Sequence, residues 1–79
     1  METTLRFTVP GRVRVDLGIF DVAGRQVRIL KSEELDAGTH TVTWDGRNAS
    51  GTRVASGVYF ARMRAGAGER TERLIVVHP

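Results

Sequence analysis

The feature that most constrains the fold is an alternation of apolar and polar residues that recurs along the chain. It is clearest at positions 13–19 (VRVDLGI), and it is repeated at positions 5–9 (LRFTV) and 39–44 (THTVTW). A period of two places successive side chains on opposite faces of a β-strand, with one face buried and the other in water. The sequence therefore predicts half-buried strands, and no segment longer than one turn has the spacing of a helix.

Glycine-containing turn sequences separate the alternating runs. They are Pro10-Gly11, Asp45-Gly46, Ser50-Gly51 and Gly66-Ala67-Gly68. Between them we expect a polar loop at positions 32–38 with Leu35 tucked beneath it, and a short edge strand at positions 52–55. We therefore predict an all-β fold, an antiparallel immunoglobulin- or fibronectin III-like sandwich of about seven strands, for which turns at this spacing are typical.

The length and composition limit the classes of function. With 79 residues the chain makes one domain, at residues 1–79, whose single modest core leaves little room for an enzyme cleft. No cysteine is present, so disulfides and cysteine-based zinc sites are excluded. The serines have only His40 and His78 as candidate bases, and no nucleophile motif surrounds them. We therefore predict no enzyme and no cofactor.

The charged residues are interleaved along the chain, with 12 Lys and Arg against 9 Asp and Glu and a formal net charge of +3. This pattern favours a solvated surface over a nucleic-acid face. No stretch approaches the ~18 apolar residues that a membrane span requires. Positions 1–4 lack the charged and apolar regions of a signal peptide. We expect protein partners, no nucleic acid and no membrane span.

Three segments in a fixed order resemble a known family of bacterial domains. They are IFDVAGRQV at positions 19–27, AGTHTVTWDGR at positions 37–47 and SGVYFAR at positions 56–62. Together they resemble the Ig-like domain of the flagellar hook-capping protein, and they are similar to the related C-terminal sorting domains of proteins exported by the type IX secretion system. The resemblance extends from about Thr4 to Val77 and implies an Ig-like sandwich without a catalytic site.

Within these segments a small set of residues marks the core and the turns. Trp44 ends an alternating strand, so its large ring is expected to anchor the core, and Asp45-Gly46 after it has the composition of a tight turn. Phe20 lies just past the second run, and Asp21 is expected to brace the turn that follows. Tyr59 is expected to bury its ring and bond its hydroxyl to the backbone, as in a tyrosine corner. The full set is Phe20, Asp21, Gly24, Trp44, Asp45, Gly46, Gly57 and Tyr59.

The resemblance implies a non-catalytic accessory or sorting module, expected at the C-terminal end of a larger secreted or cell-surface bacterial protein. Its location would then be extracellular or at the cell surface. Sorting members are recognised by the outer-membrane secretion machinery, so that machinery or a neighbouring domain is the expected partner. The recognised strand would contain Arg73, Leu74, Ile75, Val76 and Val77.

Two other functions remain open on the sequence. One is a structural assembly module, as in a flagellar hook cap, which acts through protein–protein contacts and whose exposed edge strands can self-associate. The other is a carbohydrate-binding sandwich, which requires exposed aromatic rings such as that of Trp44. A calcium site from Asp45, Asn48 and Ser50 is conceivable, but the spacing lacks the carboxylate density of a calcium loop.

Overall fold

The computed structural model describes residues 2–77, which form six β-strands in two antiparallel sheets and no helix. Expectations at Met1, His78 and Pro79 lie outside the described residues. The strands are β1 (Thr3–Val9), β2 (Val13–Asp21), β3 (Gln26–Leu35), β4 (Gly38–Trp44), β5 (Gly57–Ala65) and β6 (Gly68–Val76). β1 pairs with β4 in one sheet, and the order β3-β2-β5-β6 makes the other. The all-β, antiparallel prediction is confirmed.

The predicted count of about seven strands exceeds the six that residues 2–77 form. The expected edge strand at positions 52–55 makes only an isolated bridge, between Arg47 and Arg53. The backbone here bonds within one loop, in which the Val54 N–H donates to the Gly46 carbonyl (2.9 Å). Local hydrogen bonds of this kind take the place of a strand ladder at positions 52–55.

Two strands are longer than the sequence predicts. The polar segment expected as a loop continues β3 as far as Leu35, which pairs with Val13 of β2. Leu35 is buried, as expected, while the polar residues before it face water from the strand. β2 likewise continues to Asp21, so Phe20 lies inside the strand and opposite Phe60 of β5. The polarity at the end of β3 therefore reflects an exposed strand and not a loop.

The core lies between the two sheets and is centred on Trp44, whose side chain is fully buried. Its ring, from β4, meets the Tyr59 ring of β5 edge-on with centroids 5.6 Å apart, so this pair joins the two sheets. The polar atom of each ring is bonded: Trp44 Nε1–H donates to the Arg47 carbonyl (2.9 Å), and the Tyr59 hydroxyl donates to the Ala55 carbonyl (2.7 Å). The other buried side chains are apolar, namely Leu5, Phe7, Val9, Val15, Leu17, Ile19, Leu35, Ala61, Leu74 and Val76.

The hairpin between β2 and β3 is held by Asp21. Its Oδ1 accepts the backbone N–H groups of Ala23 (2.9 Å) and Arg25 (3.0 Å), and its Oδ2 accepts the Nε–H of Arg25 (3.1 Å). These donors, the Arg25 backbone N–H first, hold the pKa of Asp21 below its ordinary value because they bond to the charged form. Gly24 completes the turn with a φ of 83°, in the left-handed region that glycine enters without strain.

Truncation of the Trp44 side chain should unfold most of the domain. Trp44→Ala removes a fully buried ring, and such changes cost about 3–5 kcal/mol, a large part of a small domain's stability. Tyr59→Phe keeps the ring but leaves the Ala55 carbonyl without its donor, so about 1 kcal/mol should be lost. Thr41→Ala, on the exposed side of β4, should change the free energy of unfolding by less than about 0.5 kcal/mol. Urea unfolding followed by circular dichroism measures each variant, and a stable Trp44→Ala domain would contradict this description of the core.

Two turn glycines should respond in opposite ways to an added methyl group. Gly24→Ala places an alanine at positive φ and should cost about 1–2 kcal/mol. Gly11 has no positive φ, and a Cβ there would meet nothing within 4 Å. Gly11→Ala should therefore be neutral or stabilise the domain by up to about 1 kcal/mol, because it restricts the unfolded chain. Thermal denaturation compares the two variants, and equal shifts would show that backbone conformation at Gly24 does not shape the hairpin.

Candidate interaction surface

The outer face of the four-stranded sheet carries apolar side chains where a water-facing surface is normally polar. Phe20 of β2 lies opposite Phe60 of β5, and Val58 of β5 lies opposite Ile75 of β6. Ile29 of β3 lines the same face as Phe20. Ile29 and Ile75 are 57% and 65% exposed. A continuous exposed apolar area of this kind is typical of a contact surface.

Two arginines, Arg62 and Arg73, lie among these apolar side chains. The guanidinium carbon of Arg62 lies 4.5 Å from the centre of the Phe20 ring, a cation–π contact that holds the arginine over the sheet. Arg73 of β6 lies opposite Phe60. We refer to the apolar residues and these two arginines as the outer-face patch, which consists of Phe20, Ile29, Val58, Phe60, Arg62, Arg73 and Ile75.

Gly18, in β2, lets the Phe20 ring lie against the backbone. A Cβ at this position would be 3.2 Å from Cε1 of Phe20 and 3.4 Å from the Arg28 carbonyl oxygen, so a side chain here would press on the ring. Gly18 also lines a groove of about 230 Å³, with Ile29 and Arg62 among its other walls. The patch therefore has a recess beside the Phe20 ring.

A polar network borders the patch towards the other end of the sheet. The Ser32 hydroxyl donates to Asp16 Oδ1 (2.8 Å), and Arg14 Nη2 donates to the Ser32 hydroxyl (2.8 Å) and to Asp16 Oδ1 (3.3 Å). The Ser32 hydroxyl, together with Arg14, holds the pKa of Asp16 below its ordinary value. On the neighbouring strands, Arg64 Nε donates to Glu69 Oε2 (2.9 Å). The charges of this network therefore satisfy one another.

The two arginines of the patch are less well satisfied than the network beside them. The carboxylate nearest to Arg62 is that of Glu69, at 3.8 Å, and it already accepts from Arg64. Arg73 makes no ion pair with any of residues 2–77. Guanidinium donors on this face are therefore available to carboxylates from outside the domain.

The residues expected to mark the fold around Trp44 lie in the core or in a closed turn. Asp45 Oδ1 accepts the Arg47 backbone N–H (3.0 Å) and the Arg28 Nη1–H (3.0 Å). Desolvation raises the pKa of Asp45, but these donors outweigh it, so the pKa lies below its ordinary value. Gly46 follows with a φ of 78°. This turn is braced by the protein's own donors, as the Asp21 turn is.

The oxygens of the conceivable calcium site are also bonded within the protein. Asn48 Oδ1 accepts the Ser50 N–H (3.1 Å), the Ser50 hydroxyl (2.8 Å) and the Thr52 N–H (3.0 Å). Among residues 2–77, no group of three or more acidic or histidine side chains is arranged to hold a metal ion. The same residues include no helix long and apolar enough to span a membrane.

The strand expected to carry a sorting signal is the edge strand β6. Leu74 and Val76 are buried in the core and are not accessible to a partner. Val77, beyond the end of the strand, is exposed, and Arg73 and Ile75 face outwards on the side opposite to Leu74 and Val76. Of the predicted strand, only Arg73 and Ile75 belong to the outer-face patch.

Sequence reasoning assigned no binding role to the rest of the patch. A signal is present in Val58-Tyr59-Phe60, where consecutive apolar residues break the alternation. Tyr59 is buried in the core, so its two neighbours must lie on the opposite face of β5. The cross-strand partners Phe20 and Ile75 follow only from the register, which the sequence does not provide.

A solved structure with the same fold is that of FlgD from P. aeruginosa. The superposition has a TM-score of 0.73 at 21% sequence identity, and it covers 95% of this chain and 59% of that chain. At this level of identity the match establishes a shared fold.

Two curated relatives are the basal-body rod modification proteins FlgD of Salmonella typhimurium and Salmonella typhi. Each is 46% identical over 55 residues, which are 70% of this chain and 24% of the relative. The chain thus spans about a quarter of the length of these relatives. The expected location, extracellular or at the cell surface within a sorted protein, is wrong, because the relatives are named for the basal-body rod.

The model of one family, the FlgD Ig-like domain, matches residues 1–69. The matched range includes the three ordered segments at positions 19–27, 37–47 and 56–62. The hook-capping part of the sequence resemblance is confirmed, whereas the matches give no support to the type IX sorting part. The chain belongs to the FlgD Ig-like domain family.

Proposed function

We propose that the chain is a structural assembly module that acts through protein–protein contacts in the bacterial flagellum, as in a hook cap. The 46% identity to basal-body rod modification proteins over 55 residues carries this proposal. Because the matched region is 24% of the relative's length, the proposed role is that of one module within a larger assembly protein.

The surface of the domain supports binding in preference to catalysis. Most of its carboxylates are engaged in turns and surface networks, such as those of Asp16, Asp21 and Asp45. The groove beside Gly18 is shallow, and its walls combine apolar side chains with the Arg62 guanidinium. Such a surface can recognise another surface through burial and charge.

The other two functions considered from the sequence, a sorting module and a carbohydrate-binding sandwich, are not proposed. Sorting by the last strand is not proposed, because the family, curated and structural matches described above are all to FlgD. A carbohydrate-stacking platform requires an open ring, but Trp44 is fully buried. The Phe20 ring is covered by the Arg62 guanidinium.

A chimaeric protein tests the proposed function. The matching segment of the Salmonella typhimurium protein is replaced by this chain in a strain without its own copy. We expect the chimaera to restore swimming in soft agar and hooks visible by electron microscopy, because the domain supplies the same fold and 46% of the same residues in the matched region.

The controls separate loss of function from loss of the protein. A chimaera that carries Trp44→Ala should fail, because its core is lost. A Thr41→Ala chimaera, changed on the exposed side of the same strand, should behave like the unmodified chimaera. The proposal is wrong if the unmodified chimaera accumulates to normal levels and the cells still make no hooks.

A further inference from the structure

We propose that the outer-face patch docks an acidic segment of another protein chain, in which carboxylates alternate with aromatic or aliphatic side chains. This deepens the proposed function and rests on it, because it names the surface through which the module contacts its partner. The partner's apolar side chains cover the exposed apolar side chains of the patch, and its carboxylates bind the two arginines.

The apolar part of the patch is already fixed in position by the sheet. Phe20, Val58 and Phe60 are half-buried on adjacent strands, and Ile75 beside them is 65% exposed. Side chains held in this way lose little conformational freedom when a partner covers them. Aromatic residues and arginine carry a large share of the binding energy at protein interfaces, and both are present here.

The charge of the patch indicates the chemistry of its partner. Arg62 lies opposite Thr71, two positions before Arg73 on β6, so the two arginines are diagonal neighbours on one face. Arg62 has only the distant, shared Glu69 carboxylate at 3.8 Å, and Arg73 has no ion pair among residues 2–77. Carboxylates of a partner can accept charge-assisted hydrogen bonds from each of these arginines. An acidic partner therefore complements the patch.

A second copy of the chain fits this surface less well. Two patches placed face to face would bring four arginines into one contact, Arg62 and Arg73 from each copy, and like charges within a contact repel. The nearby carboxylates of Asp16 and Glu69 are bound by their own arginines. They are not free to neutralise the opposing copy.

A single-stranded nucleic acid also fits less well, although arginine and aromatic residues are common in such sites. Base stacking needs an open ring face, but the Phe20 ring lies against Gly18 and beneath the Arg62 guanidinium.

The test uses the purified chain, labelled with nitrogen-15, and nuclear magnetic resonance titration with defined probes. The first probe is a short peptide that alternates Glu with Phe and Val. The second has Lys in place of every Glu, and the third is an oligothymidine. We expect chemical-shift changes confined to the outer-face patch for the Glu peptide, with affinity at least about tenfold higher than for either other probe.

Charge variants locate the binding site. Arg62→Glu with Arg73→Glu should weaken binding of the Glu peptide about tenfold or more. Arg6→Glu with Arg53→Glu makes the same change in net charge at two exposed arginines outside the patch, and should leave the affinity within about twofold. Should the first variant unfold, Arg62→Gln with Arg73→Gln replaces it, since the neutral side chains do not repel Glu69.

Several outcomes would overturn the docking surface. They are equal binding of the Glu and Lys peptides, chemical-shift changes outside the patch, absence of binding, preference for the oligothymidine, or a dimer that the Arg62 and Arg73 variant abolishes.

The chimaera separates this proposal from the proposed function. If the Glu peptide binds the patch but the chimaera makes no hooks, the docking surface stands and the proposed flagellar role is wrong. If the chimaera works and still works with Arg62→Glu and Arg73→Glu, the proposed docking surface is wrong and the flagellar role stands.

Discussion

The edge-on contact between Trp44 and Tyr59 is the interaction on which the rest of the structure depends. The two rings come from different sheets and meet at 5.6 Å, and each sends its polar atom to a loop carbonyl, at Arg47 and at Ala55. The contact therefore fixes the distance between the sheets and also ties down both ends of the long connection between β4 and β5. Between these two ends, the Asn48 side chain and the Val54 N–H add local hydrogen bonds that hold the connection.

Much of the fold was predictable because it follows from the alternation of single strands. β1 and β2 bury alternate residues over most of their length, and β4 alternates exposed residues with half-buried or buried ones. Leu35 was correctly expected to be buried. The end of β3 was not predictable, because Ser32, Glu33 and Glu34 have the composition of a loop and are held in a strand by pairing with β2. The prediction of an edge strand at positions 52–55 was wrong in the opposite sense: the composition is that of a strand, but a local hydrogen bond to Gly46 holds the segment in a loop.

The candidate surface was harder to predict than the core, for a physical reason. A core residue can be recognised from its own apolar character. A surface patch depends on which residues the strand register places side by side. Val58 and Phe60 flank a buried residue in sequence, but their neighbours Phe20, Arg73 and Ile75 come from other strands. The strand that the sequence singled out, positions 73–77, contributed two residues to this surface for reasons unrelated to sorting.

The separation of β1 from its partner has a consequence for how the domain assembles. β2–β3 and β5–β6 are pairs of consecutive strands, but β1 pairs with β4 only, across the whole β2–β3 hairpin. Closing such a pairing costs loop entropy that a short hairpin does not incur, so contacts of this range tend to form late. Trp44 is the only tryptophan in the chain, and it lies on β4, where its ring contacts Tyr59 of the other sheet. Its fluorescence is thus a built-in reporter of the moment when the two sheets become one domain.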